Sequence, residues 1–182
     1  MPDVHKIFVG GGFDDWFSHI VESYAAEYAR LNPQFQCRYF SWTQGSDIRG
    51  YIRDAGDNSH VTVVGHSYGA DTSFSSIHNG RPVQVLISID PVGRFRPSWS
   101  SIRSHCRLWL NVRAEPSPAR RTGDDTIAAI GGQYPRPPAP GKPDAPNYAI
   151  VADATHGAFR TMMRLTSNGA SGKTLLGGAS VP

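Results

Sequence analysis

The sequence predicts an α/β fold: a mostly parallel sheet of about six strands, helices on both faces, and no large cap domain. Three observations predict it. Short apolar runs recur at 6–9, 36–42, 61–64, 83–89, 107–112 and 148–151. Most are nearly continuous rather than alternating, the pattern of strands buried on both faces. Segments with helical spacing of apolar residues separate several of them. The 182 residues also carry 39% hydrophobic and only 18% charged side chains, which suits one domain with a real core.

Each element has its own signature. Lys6-Ile7-Phe8-Val9 is a buried strand that enters a tight loop at Gly10-Gly11-Gly12. In 15–30, Ile20, Val21, Tyr24, Ala25 and Tyr28 recur at helical spacing, with Asp14 or Asp15 as the cap and Pro33 beyond the end. Residues 36–42 form the second strand, and 46–55 the second helix with Ser46 as N-cap. Val61-Thr62-Val63-Val64 is a third strand, β-branched throughout. It runs into Gly65-His66-Ser67-Tyr68-Gly69 and then a helix over 70–77. The fourth strand, 83–89, ends at Asp90-Pro91; the fifth and sixth are 107–112 and 148–151, and 158–165 is the last helix. Residues 116–146 are rich in Pro, Gly and Arg, with a helical piece near 125–130; so long a connection is functional or mobile. The domain is expected over 1–165, with the Gly/Ser-rich 166–182 as a tail.

Bulk properties exclude several classes. A net charge of +3 makes no case for nucleic acid. No run approaches the roughly 18–20 apolar residues of a membrane-spanning helix. The first residues lack a basic stretch followed by an apolar one, so no secretory signal is read. A cytoplasmic location is the expectation, with delivery by a secretion system as the alternative. Cys37 and Cys106 lie in no CxxC or Cys/His cluster, so no metal site is expected.

The chemistry concentrates at Gly65–Gly69. A strand, a sharp turn and a helix form a nucleophile elbow, which presents the Ser67 hydroxyl at the carboxyl edge of the sheet. The turn is so tight that side chains at Gly65 and Gly69 would meet neighbouring backbone. Amides at the start of the following helix favour negative charge, which makes Tyr68 N–H a candidate oxyanion donor. The second donor is expected from the loop after the first strand, at Gly12 or Phe13. A serine needs a base, and the base an orienting carboxylate, in the chain order Ser, acid, His.

Of seven histidines, His5, His19 and His60 precede the serine. His66 lies within the elbow and is expected to point away from the working side of Ser67. His78 falls at the far end of the elbow helix and His105 before a strand, at the amino edge. His156 follows the last strand and is the expected base. Asp90, at the end of the fourth strand, is the first candidate for the acid; Glu115, Asp124 and Asp125 are the alternatives.

These residues resemble the α/β-hydrolase superfamily of esterases and lipases, from Lys6 to about Leu165. The landmarks are the loop over 10–13, Gly65-His66-Ser67-Tyr68-Gly69, Ser88-Ile89-Asp90-Pro91-Val92 and Thr155-His156-Gly157. A strand ending in Asp before Pro-Val is similar to small bacterial lipase-like proteins, including phospholipase effectors of type VI secretion systems. There the matching Asp serves as triad acid. Many members carry His-Gly before the oxyanion loop, whereas this chain has Gly10-Gly11, and the two leading strands are absent. The family topology sets Cys37 and Cys106 several strands apart. At about 4.8 Å per strand this exceeds the ~7 Å limit of a disulfide, so free thiols are expected.

The resemblance implies hydrolysis of a carboxylic ester through an acyl-enzyme, without metal or organic cofactor. An acyltransferase or thioesterase with the same triad, or a non-catalytic binding module, is the alternative. The expected partner is an ester, lipid being one candidate; oligomeric state is not legible. Phe95 and Trp99 are candidates for an acyl pocket and equally for packing. Arg94, Arg96 and Arg103 are candidates to attract anionic head groups and equally a solvated face.

Overall fold

A computed structural model describes residues 3–12, 14, 19–93 and 96–178. Six strands build the main sheet: β1 (Val4–Gly10), β2 (Gln36–Ser41), β3 (His60–His66), β4 (Val83–Ile89), β5 (Cys106–Ala114) and β6 (Tyr148–Ala152). Their order is β2-β1-β3-β4-β5-β6, and every neighbouring pair is parallel. The predicted fold class is the one adopted.

Helices cover both faces, and strand alternation divides the core between them. Phe8, Val64, Ile87 and Leu110 face α1 (Ile20–Leu31), α6 (Phe159–Met162) and α7 (Gly172–Leu176), through Val21, Ala25, Phe159 and Leu175. Ile7, Val9, Val61, Val63 and Leu86 face α2 (Gly45–Asp54), α3 (Tyr68–His78) and α4 (Trp99–Ser104). Ile48 and Ile52 of α2, and Phe74 and Ile77 of α3, supply the apolar stripes at helical spacing. Lys6 is the unusual member of β1. It is fully buried, donates from Nζ to Thr62 Oγ1 at 3.1 Å, and lies 5.1 Å from the centre of the Phe35 ring. Burial lowers its pKa to about 8, against a smaller opposing influence from Cys37.

Several local expectations need correction. The helix α1 runs over Ile20–Leu31, and the expected start at Asp15 lies outside the described residues. Asp14 does cap it, from a distance, its carboxylate accepting from the amides of Val21 and Glu22 at 2.8 and 3.1 Å. The N-cap of α2 is Gln44 rather than Ser46, because the first helical residue is Gly45 and Ser46 lies within the first turn. The piece near 125–130 is α5 (Gly123–Gly131), fastened by a Thr122–Asp125 capping box and ended by Gly132 at φ 90°.

The expected tail is packed structure through Gly178 among its described residues. Thr166–Ser167 and Ala170–Ser171 pair as β7 and β8, Ser171 caps α7, and Ala170, Leu175 and Leu176 are buried in the core. Four Gly and Ser residues in 167–172 suggest a solvated chain, but three apolar side chains suffice to dock it.

Cys37 and Cys106 are free thiols. They sit on β2 and β5, with β1, β3 and β4 between.

Candidate active site

Sheet order decides where the site lies. β1 has β2 on one side and β3 on the other, so the chain switches direction between β1 and β3. Crevices at such switch points, outside the carboxyl ends of the strands, are where open α/β sheets bind ligands. The Gly10–Gly12 loop leaves β1 there, and Ser67 leaves β3.

Ser67 has φ 56° and ψ −129°, a conformation that costs of order 1–3 kcal/mol. Backbone bonds hold it: Ser67 N donates to Ile89 O at 3.1 Å, and Ser67 O accepts from Ala70 N and Val92 N at 3.0 and 3.2 Å. Gly69 is required by close approach, because a Cβ there would run into the carbonyl oxygens of Val9 and Gly10. Gly65 is crowded in the same way by Ala70 and Gly69, as expected. Gly11, which the sequence did not single out from its neighbours, lies closest to the serine. A Cβ on it would stand 2.7 Å from Ser67 Cβ and 3.2 Å from Oγ. Gly12 faces Tyr68, its Cβ position being 3.3 Å from the ring. Phe13 lies outside the described residues.

His156, in the loop between β6 and α6, meets Ser67. Its Nε2 is 2.9 Å from Ser67 Oγ, and its Nδ1 is 2.6 Å from Asp90 Oδ2. A carboxylate only accepts, so Nδ1 carries the proton and Nε2 is left to accept from the serine hydroxyl. Ser67 is 7% exposed, His156 9% and Asp90 0%.

Asp90 takes a left-handed conformation, φ 41°, which Asp tolerates better than most residues. Its carboxylate is saturated by donors. Besides His156, Oδ1 accepts from Ala114 N at 2.9 Å and from Gln133 Nε2 at 2.7 Å. Gln133 also donates to Ala114 O at 3.0 Å, and its Oε1 accepts from Arg113 Nη2 at 3.2 Å. The turn after α5 pins this amide in place: Val92 and Gln133 form a bridge, and Tyr134 N donates to Pro91 O at 2.8 Å.

The alternative acids do other work. Glu115 pairs with Arg136 and with Arg113 Nε, the latter at 2.8 Å. The Arg136 bond first, and then Arg113, hold its carboxyl down to about 2. Asp125 accepts the backbone N–H of His156 at 2.7 Å through Oδ1 and the amide of Thr122 through Oδ2, so it ties the His156 loop to the start of α5. Asp124 lies against Gly157, where a Cβ would stand 2.7 Å from its Oδ2. None of the three replaces Asp90 at Nδ1.

His66 also needs correction. It does not point away from the site; its ring stacks on that of His156, with centroids 4.9 Å apart. Trp99 packs on Trp109 and Tyr134, centroids 5.7 and 5.5 Å away, as part of the core rather than an acyl pocket. Arg96 Nε donates to Gly93 O at 3.1 Å and Arg103 Nη1 to Cys106 O at 2.8 Å. Phe95 and Arg94 lie outside the described residues. A cavity of about 570 Å³ opens beside Tyr68, with Trp42, Arg49, Thr72 and Ser75 among its walls. Its size is that of a small-ligand pocket. Among the described residues no group of three His, Cys, Asp or Glu side chains gathers as a metal site, and no helix is long and apolar enough to cross a membrane.

Fold and site together define a class: a parallel α/β protein with a Ser-His-Asp constellation at its topological switch point. No protein-family model matches the sequence, and no curated protein matches it. Among solved structures the chain is similar to a YdeN-like hydrolase from Pectobacterium atrosepticum. Identity is 16%, the match covers 86% of this chain and 83% of that one, and the TM-score is 0.44. It is also similar to the metagenomic carboxyl esterase MGS0156, at 11% identity and TM-score 0.46, over 86% of this chain and 65% of that one.

Proposed function

We propose that the chain is a serine hydrolase that cleaves a carboxylic ester through an acyl-enzyme, with Ser67 as nucleophile, His156 as general base and acid, and Asp90 as the orienting acid. One observation carries the reading: the continuous path from Ser67 Oγ to His156 Nε2 at 2.9 Å and from Nδ1 to Asp90 Oδ2 at 2.6 Å.

The steps follow from that path. His156 Nε2 takes the hydroxyl proton as Ser67 Oγ attacks the ester carbonyl. The imidazolium so formed keeps its Nδ1 proton on the Asp90 carboxylate, which stabilises the charge and fixes the tautomer. The amides of Tyr68, at the head of α3, and of Gly12 are the proposed donors to the oxyanion. His156 then protonates the leaving alcohol and activates the water that releases the acid.

The test is hydrolysis of a short-chain p-nitrophenyl ester by the purified protein and by Ser67→Ala. Loss of an activated nucleophile costs on the order of a millionfold in kcat. Wild-type turnover that drops to background in a folded Ser67→Ala supports the reading. Turnover that survives the substitution ends it.

A further inference from the structure

We propose that His66 is a positioning residue for His156, holding its ring in the line that joins Ser67 to Asp90. The kinetic consequence rests on the hydrolase reading; the geometry does not.

His66 is the last residue of β3 and directly precedes Ser67. Alternation along β3 puts it on the same face as Val64, the face covered by α1 and α6. There its ring lies against that of His156, centroids 4.9 Å apart and planes 28° from parallel. Its Nε2 is 2.9 Å from the backbone oxygen of His156. A carbonyl only accepts, so Nε2–H is the donor. Phe159, the first residue of α6, meets the ring of His66 edge-on at 5.5 Å. Ser67 and the side chain that steadies its base are therefore adjacent in the chain, His66 ending β3 and Ser67 following it, so a shift of β3 carries both together.

The charge state fits the role. Burial lowers the His66 pKa to about 4, with His156 as the next contribution. His156 faces it from the loop before α6, Asp90 from the end of β4, and Asp14 from the loop after β1; the hydrogen bond to the His156 backbone and then the two carboxylates oppose the shift. His66 is thus neutral near neutral pH. A cation stacked on His156 would resist the imidazolium that ester cleavage must form. A neutral ring supplies contact and a hydrogen bond without that repulsion.

Two substitutions separate the parts. His66→Phe keeps a ring for the stack and deletes the donor; His66→Gln keeps a donor and deletes the ring. Each is expected to lower kcat for a short-chain p-nitrophenyl ester about three- to tenfold while KM stays within about twofold. A role in packing alone would lower the unfolding midpoint and leave the kcat of the folded fraction unchanged, which overturns the proposal. So does an effect confined to KM. If neither variant folds, nitrogen-15 NMR of the wild-type histidine rings decides. His66 must show the Nε2–H tautomer and remain neutral down to about pH 5. An Nδ1–H tautomer, or protonation near the ordinary histidine value, overturns the proposal. That measurement is independent of catalysis, so its failure and the failure of the hydrolase reading are distinguishable.

Discussion

Replacing Asp90 with asparagine changes one carboxylate oxygen to an amide nitrogen and leaves the size of the side chain alone. The surroundings dictate how the new amide must sit. Oδ1 of Asp90 accepts from two N–H donors, Ala114 N at 2.9 Å and Gln133 Nε2 at 2.7 Å. Only an oxygen satisfies both, so the substituted amide keeps its oxygen there and turns its NH2 group towards His156 Nδ1. That nitrogen must then accept, which forces the proton onto Nε2, against the Ser67 hydroxyl it should deprotonate. The base is present but in the wrong tautomer. Such a change costs on the order of ten-thousandfold in kcat, about 5 kcal/mol in the barrier. Stability should change little, because both Oδ1 bonds survive. Steady-state hydrolysis of a p-nitrophenyl ester, with thermal unfolding of the same preparation, makes the comparison. A folded Asp90→Asn that keeps more than about a tenth of wild-type kcat refutes the reasoning.

Three further outcomes follow from the same contacts. Gln133→Leu removes a donor to a charged oxygen, a bond typically worth about 1.5–3 kcal/mol; since Ala114 N remains, kcat should fall about tenfold, and unchanged kinetics would remove Gln133 from the site. Glu115→Gln breaks the pairs with Arg113 and Arg136 but touches neither His156 nor Ser67, so its kcat should stay within about twofold of wild type. Lys6→Met tests the buried ammonium. The folded-state pKa of Lys6, about 8, lies below its ordinary value of 10.5, so its burial penalty is full below about pH 8 and fades between pH 8 and 10.5. Denaturant unfolding should therefore show wild type gaining about 3 kcal/mol relative to Lys6→Met between pH 7 and pH 11, and a pH-independent difference would contradict the shift.

The sheet was legible in the sequence because its signals are local. A β-branched run at Val61–Val64, glycines on both sides of Ser67 and a histidine after the last strand each occupy a few adjacent residues. What stayed hidden was set by contacts distant in the chain. Gln133 follows α5 in a long Pro-rich connection, and nothing nearby marks it as a partner of Asp90, 43 residues earlier. Asp125 looks like a spare acid in the sequence, which shows the residue type but not the backbone N–H of His156 that it meets. His66 is a related case: alternation fixes its face, but only the fold shows that the His156 loop crosses that face. The packed end of the chain did leave a trace, since Ser171 and Thr174 have capping-box spacing ahead of Leu175 and Leu176. Its Gly and Ser content outweighed that trace.

The central claim is that Ser67 is a nucleophile activated by His156. Labelling with a fluorophosphonate probe, mapped by peptide mass spectrometry, tests it without knowledge of the natural substrate. A single modification at Ser67 is expected in the wild-type protein, with labelling slowed by at least about a hundredfold in a folded His156→Ala. No label on Ser67, or equal labelling with and without His156, would contradict it.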